Sequence, residues 1–297
     1  MTLQVSGTTK ILAIIGHPVE HSRSPAMQNA ALAACGMEYV YVPFGVPPER
    51  LAEAVAGLRA LGVAGFNVTI PHKVSVMAYL DGLDESAEAA GAVNAVLNDR
   101  GALIGYNTDG DGLVQSLGED LGFRPGSGTI VIAGAGGAAR GAVAALCRAG
   151  AGRIVIVNRT IERARELART LGERYNGTEI IPVGGGAEVR PYLGETALFV
   201  NTTSLGMDHE TIPFLSVADL PPTAAVYDMV YAPLVTPLLR EAAARGLQHA
   251  NGLGMLAAQG ELAFRIWTGR TAPRGVMKGV LSVAACDENL TTRAKNP

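Results

Sequence analysis

The segment TIVIAGAGGAAR (129–140) constrains the fold more than any other part of this chain. A short run of apolar and β-branched residues leads directly into the pattern G-x-G-x-x-A, at Gly134, Gly136 and Ala139, and an alanine-rich stretch follows. The first glycine allows a tight turn, the second lets backbone N–H groups approach a pyrophosphate, and the small third residue lets helix and strand pack closely. Because the pattern lies between a strand and a helix, it predicts a dinucleotide-binding turn rather than an ordinary βα turn.

Strand and helix patterns alternate along most of the chain. We expect strands at 10–16, 38–45, 65–70, 129–134, 153–158, 197–201 and 224–230, a hairpin over 93–107, and helices at 25–34, 48–62, 73–80, 84–90, 109–121, 138–150, 162–172, 252–267 and 273–285. Alternation of this kind is typical of α/β proteins with a parallel, doubly wound sheet. A length of 297 residues favours two domains.

The end of the strand IVIVN (154–158) indicates which dinucleotide is bound. NAD-binding units usually place Asp or Glu here to hold the ribose hydroxyls. This chain has Asn158, Arg159 and Thr160 instead, with Arg163 one helical turn later. Guanidinium groups suit a 2′-phosphate, so the sequence predicts NADP rather than NAD. The alternative for Arg163 is an ordinary solvated charge on a helix.

Composition and charge exclude other classes of protein. The net charge of −3 gives no electrostatic reason to expect nucleic acid or an anionic membrane as a partner. No uninterrupted apolar run approaches the roughly 18 residues that cross a bilayer, and the run Ile11 to Ile15 is too short for a signal peptide core. Cys35, Cys147 and Cys286 lack metal-type spacing, so we expect buried free thiols, no metal site and a cytoplasmic protein. The oligomeric state is left open, with a homodimer as one alternative.

Three polar clusters lie at strand ends in the first part of the chain, in GHPVEHSRSP (16–25), NVTIPHK (67–73) and GYNTDGDG (105–112). Ligand sites in α/β folds favour such loops. In the first cluster, hydroxyl and helix N–H groups could hold a carboxylate, although Ser24 could also serve only as the N-cap of the helix that begins at Pro25. Asp109 likewise has the simpler alternative of capping the next helix.

Taken together, these motifs resemble the shikimate dehydrogenase family almost from end to end. The matching stretches are GHPVEHSRSP, GFNVTIPHK, GAVN (91–94), GYNTDGDG, GAGGAAR, NRTIER (158–163), NTTSLGM (201–207), DMVYAPLVTPLL (228–239) and NGLGMLAAQ (251–259). The resemblance implies an α/β fold of two domains. A Rossmann-type NADP-binding domain (111–251) would be inserted into an N-terminal substrate domain (1–110), to which the C-terminal helices (252–297) return. The implied reaction is the reversible NADPH-dependent reduction of 3-dehydroshikimate to shikimate in aromatic amino acid biosynthesis.

The resemblance also implies roles for individual residues. The substrate carboxylate would be bound by Ser22, Ser24 and Tyr231, and the ring hydroxyls by Asn67, Thr69, Asn94 and Gln259. The catalytic pair would be Lys73 and Asp109. The dinucleotide would be held by Gly134, Ala135, Gly136, Gly137 and Ala138 at its pyrophosphate, by Asn158, Arg159, Thr160 and Arg163 at its adenosine phosphate, and by Met229 and Gly252 at its nicotinamide. Gln28 and Ala95 depart from the family pattern, which often has His and Thr there.

Hydride transfer to a ketone builds negative charge on oxygen, so a proton donor must lie within hydrogen-bond reach. The Lys73 ammonium can donate that proton, and Asp109 would hold the lysine in place. Two alternatives remain at this point. One is a relative that also oxidises quinate, with NADP or NAD. The other is a sensor that binds NADP without turnover, which would predict a broken catalytic pair.

Overall fold

The computed structural model describes residues 5–283, so Cys286 lies outside the described residues. The chain divides into two compact units, one formed by the residues up to Thr108 together with those from Ala257 onward, and the other by Asp109–Leu256. Each unit contains its own six-stranded sheet. The functional boundaries expected at 110/111 and 251/252 stay predictions.

The first unit carries a mixed sheet. Its elements are β1 (Lys10–Gly16), α1 (Ser24–Ala34), β2 (Tyr39–Gly45), α2 (Leu51–Ala60), β3 (Gly65–Val68), β4 (Gly82–Leu83), α3 (Glu85–Ala90), β5 (Ala95–Asp99) and β6 (Ala102–Tyr106). The strand order is β2-β1-β3-β5-β6-β4. β1 pairs in parallel with β2 and β3, whereas β5 pairs antiparallel with β3 and β6. A core of aliphatic residues packs around Phe66, which is fully buried.

Several elements of this unit are shorter in the structure than the sequence predicts. β3 ends at Val68 rather than at residue 70, and Pro71, which lacks a backbone N–H, follows soon after. The helix expected at 48–62 begins as a 3₁₀ turn at Pro48–Arg50 and ends at Ala60, and the one expected at 73–80 is a 3₁₀ turn at Ser75–Tyr79. The hairpin turn at residues 99–101 is confirmed, with Arg100 at φ 53°.

The second unit carries a wholly parallel sheet. Its elements are α4 (Asp109–Leu121), β7 (Thr129–Ala133), α5 (Gly137–Arg148), β8 (Arg153–Val157), α6 (Ile161–Arg174), β9 (Glu179–Val183), α7 (Arg190–Leu193), β10 (Thr196–Asn201), β11 (Ala225–Asp228), α8 (Pro237–Ala244) and β12 (Gln248–Asn251). The strand order is β12-β11-β10-β7-β8-β9. The order reverses between β7 and β10, which is where open α/β sheets bind their ligands.

The last elements are helical. The chain passes from the second unit to the first within α9 (Leu253–Thr268), between Leu256 and Ala257. Residues 276–283 are helical as well. Among residues 5–283, no helix is long and apolar enough to cross a membrane. Cys147 is a buried free thiol as expected, whereas Cys35 is free but only half-buried.

Candidate active site

The glycine turn after β7 has a backbone that only glycine adopts easily. Gly134 is at φ 111°, and its N–H donates to the Val157 carbonyl at the end of β8, at 2.8 Å. A Cβ atom built on Gly134 would lie 2.6 Å from Oγ1 of Thr202. A side chain here would therefore meet both backbone strain and a steric clash.

Beyond Gly134 the loop opens to solvent, which fits a bound pyrophosphate. Gly136, Gly137 and Ala138 are exposed, and Cβ atoms built on the two glycines would meet nothing within 4 Å. α5 begins at Gly137, and the first N–H groups of a helix have no partner within the helix, so they are suited to bind an anion. Ala135 completes the turn, and Ala139 is buried against the sheet.

Thr202 completes the turn at the reversal of strand order, a role that the sequence analysis did not predict. Its backbone N–H and its Oγ1 both donate to the Ala133 carbonyl, at 3.0 and 2.6 Å. These two hydrogen bonds connect the end of β10 to the end of β7. The available signal was the polar run NTTS directly after the apolar strand ALFV.

The loop after β8 presents the residues expected to hold the adenosine phosphate. Asn158 donates from Nδ2 to the Thr160 carbonyl at 2.8 Å, and the N–H of Arg163 donates to the same carbonyl at 3.1 Å. Arg159, Thr160 and Arg163 are not buried. The folded turn thus leaves two guanidinium groups at the start of α6.

A buried carboxylate, Asp228, organises the loops after β10 and β11. It accepts hydrogen bonds from Thr236 Oγ1 at 2.6 Å, Asn201 Nδ2 at 2.9 Å and the Val230 N–H at 3.1 Å. Burial raises the pKa of Asp228, and these three donors act in the opposite direction. The network fixes the segment that carries Met229 and Tyr231, both half-buried.

Met229 and Gly252, expected at the nicotinamide, are in contact within the second unit. A Cβ atom built on Gly252 would clash with the Met229 carbonyl oxygen. Glycine is therefore required at this close approach of two loops. Asp109 lies in the same unit, as the half-buried first residue of α4.

In the first unit, the two serines lie at the start of α1. The capping role expected for Ser24 is wrong: Ser24 is the first residue of the helix, and Arg23 holds the cap position with an already helical backbone, φ −84° and ψ −9°. The Ser24 N–H donates to Ser22 Oγ at 3.3 Å. Ser22 is half-buried and Ser24 is buried.

The two asparagines expected to bind ring hydroxyls are connected to each other. Asn67 donates from Nδ2 to the Asn94 carbonyl at 2.8 Å. The Asn94 side chain accepts from the Thr108 N–H at 2.8 Å and donates to Thr108 Oγ1 at 3.0 Å. Tyr41 donates from its phenol to Asn67 Oδ1 at 2.7 Å, a contact that no sequence pattern indicated.

Thr69 and Lys73 follow β3 on a short, tightly bonded loop. The Thr69 N–H donates to the Ile15 carbonyl at 3.0 Å, and the Lys73 carbonyl accepts from the Val93 N–H at 2.7 Å, one residue before Asn94. Between them, His72 is buried with its Nε2 at 2.6 Å from the Val46 carbonyl, which suits a structural residue. Lys73 itself is half-buried.

Gln28 links α1 to α9, next to Gln259. Gln259 is buried, and the next residue, Gly260, accepts a hydrogen bond from Gln28 Nε2 at 2.9 Å. The departure from the family pattern at Gln28 therefore contributes a contact between the two helices in the first unit.

Comparison with known protein families gives matches along the chain. The shikimate dehydrogenase substrate-binding domain matches residues 14–96, the shikimate/quinate 5-dehydrogenase family residues 121–182, and the shikimate 5′-dehydrogenase C-terminal domain residues 252–281. A shikimate dehydrogenase (NADP⁺) of Citrifermentans bemidjiense is 53% identical over 282 residues, which cover 94% of this chain and 97% of that protein. The chain belongs to the shikimate dehydrogenase family.

Solved structures agree with this family. The shikimate 5-dehydrogenase of Listeria monocytogenes, in complex with shikimate and NAD, has a TM-score of 0.89 at 36% identity, covering 95% of this chain and 99% of its own. The enzyme of Thermus thermophilus, in complex with NADP(H) and shikimate, has a TM-score of 0.81 at 38% identity, covering 93% and 99%. The predicted family and α/β fold class are confirmed.

The polar side chains at the strand ends of this shikimate dehydrogenase fold suit an organic ligand. The expected site residues of the first unit are amides and hydroxyls with one lysine, and such groups donate to and accept from a polyhydroxylated molecule. Among residues 5–283, no three His, Cys, Asp or Glu side chains are grouped to hold a metal ion.

Proposed function

We propose that this chain catalyses the reversible NADPH-dependent reduction of 3-dehydroshikimate to shikimate, a step of aromatic amino acid biosynthesis. The observation that carries the proposal is the glycine turn that begins at Gly134 in this member of the family. The turn lies where the strand order of the parallel sheet reverses, and the space beside it can accept a pyrophosphate. The enzyme is an NADP-dependent oxidoreductase, and its substrate is a small molecule.

The substrate contacts are assigned from the family resemblance, and the chemistry of the side chains supports them. Ser22 and Ser24 supply hydroxyl donors for the carboxylate, with Tyr231 as a third donor. Asn67, Thr69, Asn94 and Gln259 provide amide and hydroxyl groups for the ring hydroxyls. A site of this kind rejects analogues that lack a hydroxyl, because its own buried groups would be left unpaired.

Proton transfer is assigned to Lys73 and Asp109. When bound, NADPH supplies the hydride. The Lys73 ammonium donates the proton to the developing alkoxide and takes it back in the oxidising direction, and Asp109 is the second member of the acid–base pair.

The dinucleotide is held by residues of the second unit. Gly134 to Ala138 bind the pyrophosphate through backbone N–H groups, and Met229 and Gly252 lie at the nicotinamide end. Asn158, Arg159, Thr160 and Arg163 bind the 2′-phosphate. We further propose a cytoplasmic enzyme that needs neither nucleic acid nor membrane, and a homodimer as one assembly to test.

A matrix of four assays tests the function: shikimate or quinate as substrate, each with NADP⁺ or NAD⁺. We expect the highest kcat/KM for shikimate with NADP⁺. Because one matching family model covers quinate enzymes as well, comparable turnover of quinate would support the broader alternative. Binding of one NADP⁺ per chain without oxidation of either substrate would overturn the enzyme assignment.

A further inference from the structure

Tyr41 occupies a strongly restrained position on the edge strand β2. Its side chain is 1% exposed. The Asn29 side chain bonds both backbone groups of Tyr41, accepting from its N–H and donating to its carbonyl, each at 2.9 Å. The ring lies 6.0 Å from that of Trp267, whose indole N–H donates to the Val96 carbonyl at 2.9 Å. The phenol therefore has a fixed place in the first unit.

The hydrogen bonds around the phenol have a fixed direction. A backbone carbonyl can only accept, so the Asn94 carbonyl requires the Nδ2 side of Asn67 to face it. Asn67 Oδ1 then faces Tyr41, and the phenol must donate to it, at 2.7 Å.

Burial raises the pKa of Tyr41 well above its usual range, so the phenol stays protonated and the direction is kept.

We propose that Tyr41 is a positioning residue for substrate binding, holding the Asn67 amide in a fixed orientation. The bond from Tyr41 fixes a side chain that the proposed function assigns to a ring hydroxyl. The Asn67 Oδ1 atom accepts from Tyr41, and one of the two Nδ2 protons is donated to the Asn94 carbonyl. The second Nδ2 proton is the one that Asn67 can donate to the ligand. Asn67 therefore acts as a donor to a hydroxyl oxygen. The inference rests on the proposed function and adds to it the direction of this contact.

The substitution Tyr41→Phe removes the hydroxyl and keeps the ring against Trp267. We expect KM for shikimate to rise about 5- to 20-fold, since the Asn67 amide oxygen loses its partner. We expect kcat to change less than about threefold and KM for NADP⁺ to stay constant, because no bond of Tyr41 reaches the reacting atoms or the dinucleotide. Tyr39→Phe makes the same chemical change two residues away on β2 and should leave KM for shikimate unchanged.

A double-mutant cycle separates positioning from general stability. If Tyr41 acts through Asn67, combining Tyr41→Phe with Asn67→Ala raises KM by less than the product of the two single effects. Thermal unfolding of each variant identifies loss of folding. A Tyr41→Phe variant that melts at a lower temperature but keeps the wild-type KM for shikimate would overturn the inference. So would a double variant whose increase in KM equals the product of the two single increases. A wild-type chain that oxidises no shikimate would instead overturn the proposed function, and with it the ligand assigned to Asn67.

Discussion

Asn67 and Asn94 are almost fully buried, at 5% and 2% exposure, and both use their side-chain amides within the first unit. An unpaired buried amide costs about 1–3 kcal/mol, so such groups are kept only where partners are fixed. Their bonds to the Asn94 carbonyl, Tyr41 and Thr108 hold the two side-chain amides in place through the fold of the protein itself. Rigid donors favour tight binding because less order is lost on association.

Lys73 carries the sharpest prediction at the residue scale. Replacing it with Ala should lower kcat by about 10²- to 10⁴-fold, the usual contribution of a positioned general acid. NADPH binding, measured by fluorescence titration, should persist. Lys10→Ala is the matched control, since Lys10 lies in the same unit with its ammonium 5.5 Å from the ring centre of Tyr39. Near wild-type turnover of the Lys73 variant would remove this residue from the mechanism.

Arg163 tests the choice of cofactor. Arg163→Ser should raise KM for NADPH about 10- to 100-fold, because a charge-assisted contact to the 2′-phosphate is lost. KM for NADH, which lacks that phosphate, should hardly change. Arg165→Ser removes an equal charge from the same helix, at a position that faces away from Arg163, and should affect neither constant. An equal rise of KM for NADPH and for NADH would contradict the assignment of Arg163 to the 2′-phosphate.

At the element scale, the three strands that the sequence did not predict are all edge strands: β4 of the mixed sheet, and β9 and β12 of the parallel sheet. β9 contains Pro182, which edge strands tolerate because one of their sides needs no ladder bonds. β12, with the sequence QHAN, has little apolar signal. Central strands β7, β8 and β10 were recognised because burial on both faces makes them almost continuously apolar.

The glycine turn gives a prediction for this element. Gly134→Ala should lower the free energy of unfolding by more than about 2 kcal/mol, since the backbone is at φ 111° and the new Cβ would approach Thr202. Urea unfolding measures the change. Gly172→Ala is the control: this helical glycine has open space around it, and the substitution should stabilise the protein by about 0.5–1 kcal/mol. Equal stability of the Gly134 variant and wild type would show that the turn tolerates a side chain.

At the scale of the whole molecule, the pH dependence of stability depends on carboxylates that bridge separate segments. Asp81 accepts from the Leu103 N–H at 2.7 Å and pairs with Arg59 at 2.8 Å. The Leu103 bond, followed by Arg59, lowers the pKa of Asp81 in the folded protein. The contribution of Asp81 to stability is therefore complete above about 3.9, the pKa of this carboxyl in the unfolded chain. It is lost as the pH falls through the lower pKa that the carboxyl has in the folded protein.

Asp81→Asn should accordingly lower the melting temperature at pH 6–8, and the difference from wild type should shrink as the pH falls below about 4. Asp99→Asn removes an exposed carboxylate from the nearby hairpin and controls for the loss of one charge. A difference that stays constant down to about pH 3 would rule out Asp81 as a source of this pH dependence.

The amino-acid sequence by itself determined the α/β class, the family, the glycine turn and the expected cofactor. These depend on local periodicity and on short motifs whose backbone requirements are carried by their own residues, such as Gly134. The roles of Lys73, Asp109 and the substrate residues remain predictions from the resemblance.

Only the tertiary structure decided how the polar residues are connected. The order β2-β1-β3-β5 brings Tyr41, Asn67 and Asn94 together from three separate stretches of chain, and the Asn94 carbonyl, which can only accept, sets the direction of their hydrogen bonds. Sequence spacing carries no information on such contacts, because they depend on which strands become neighbours.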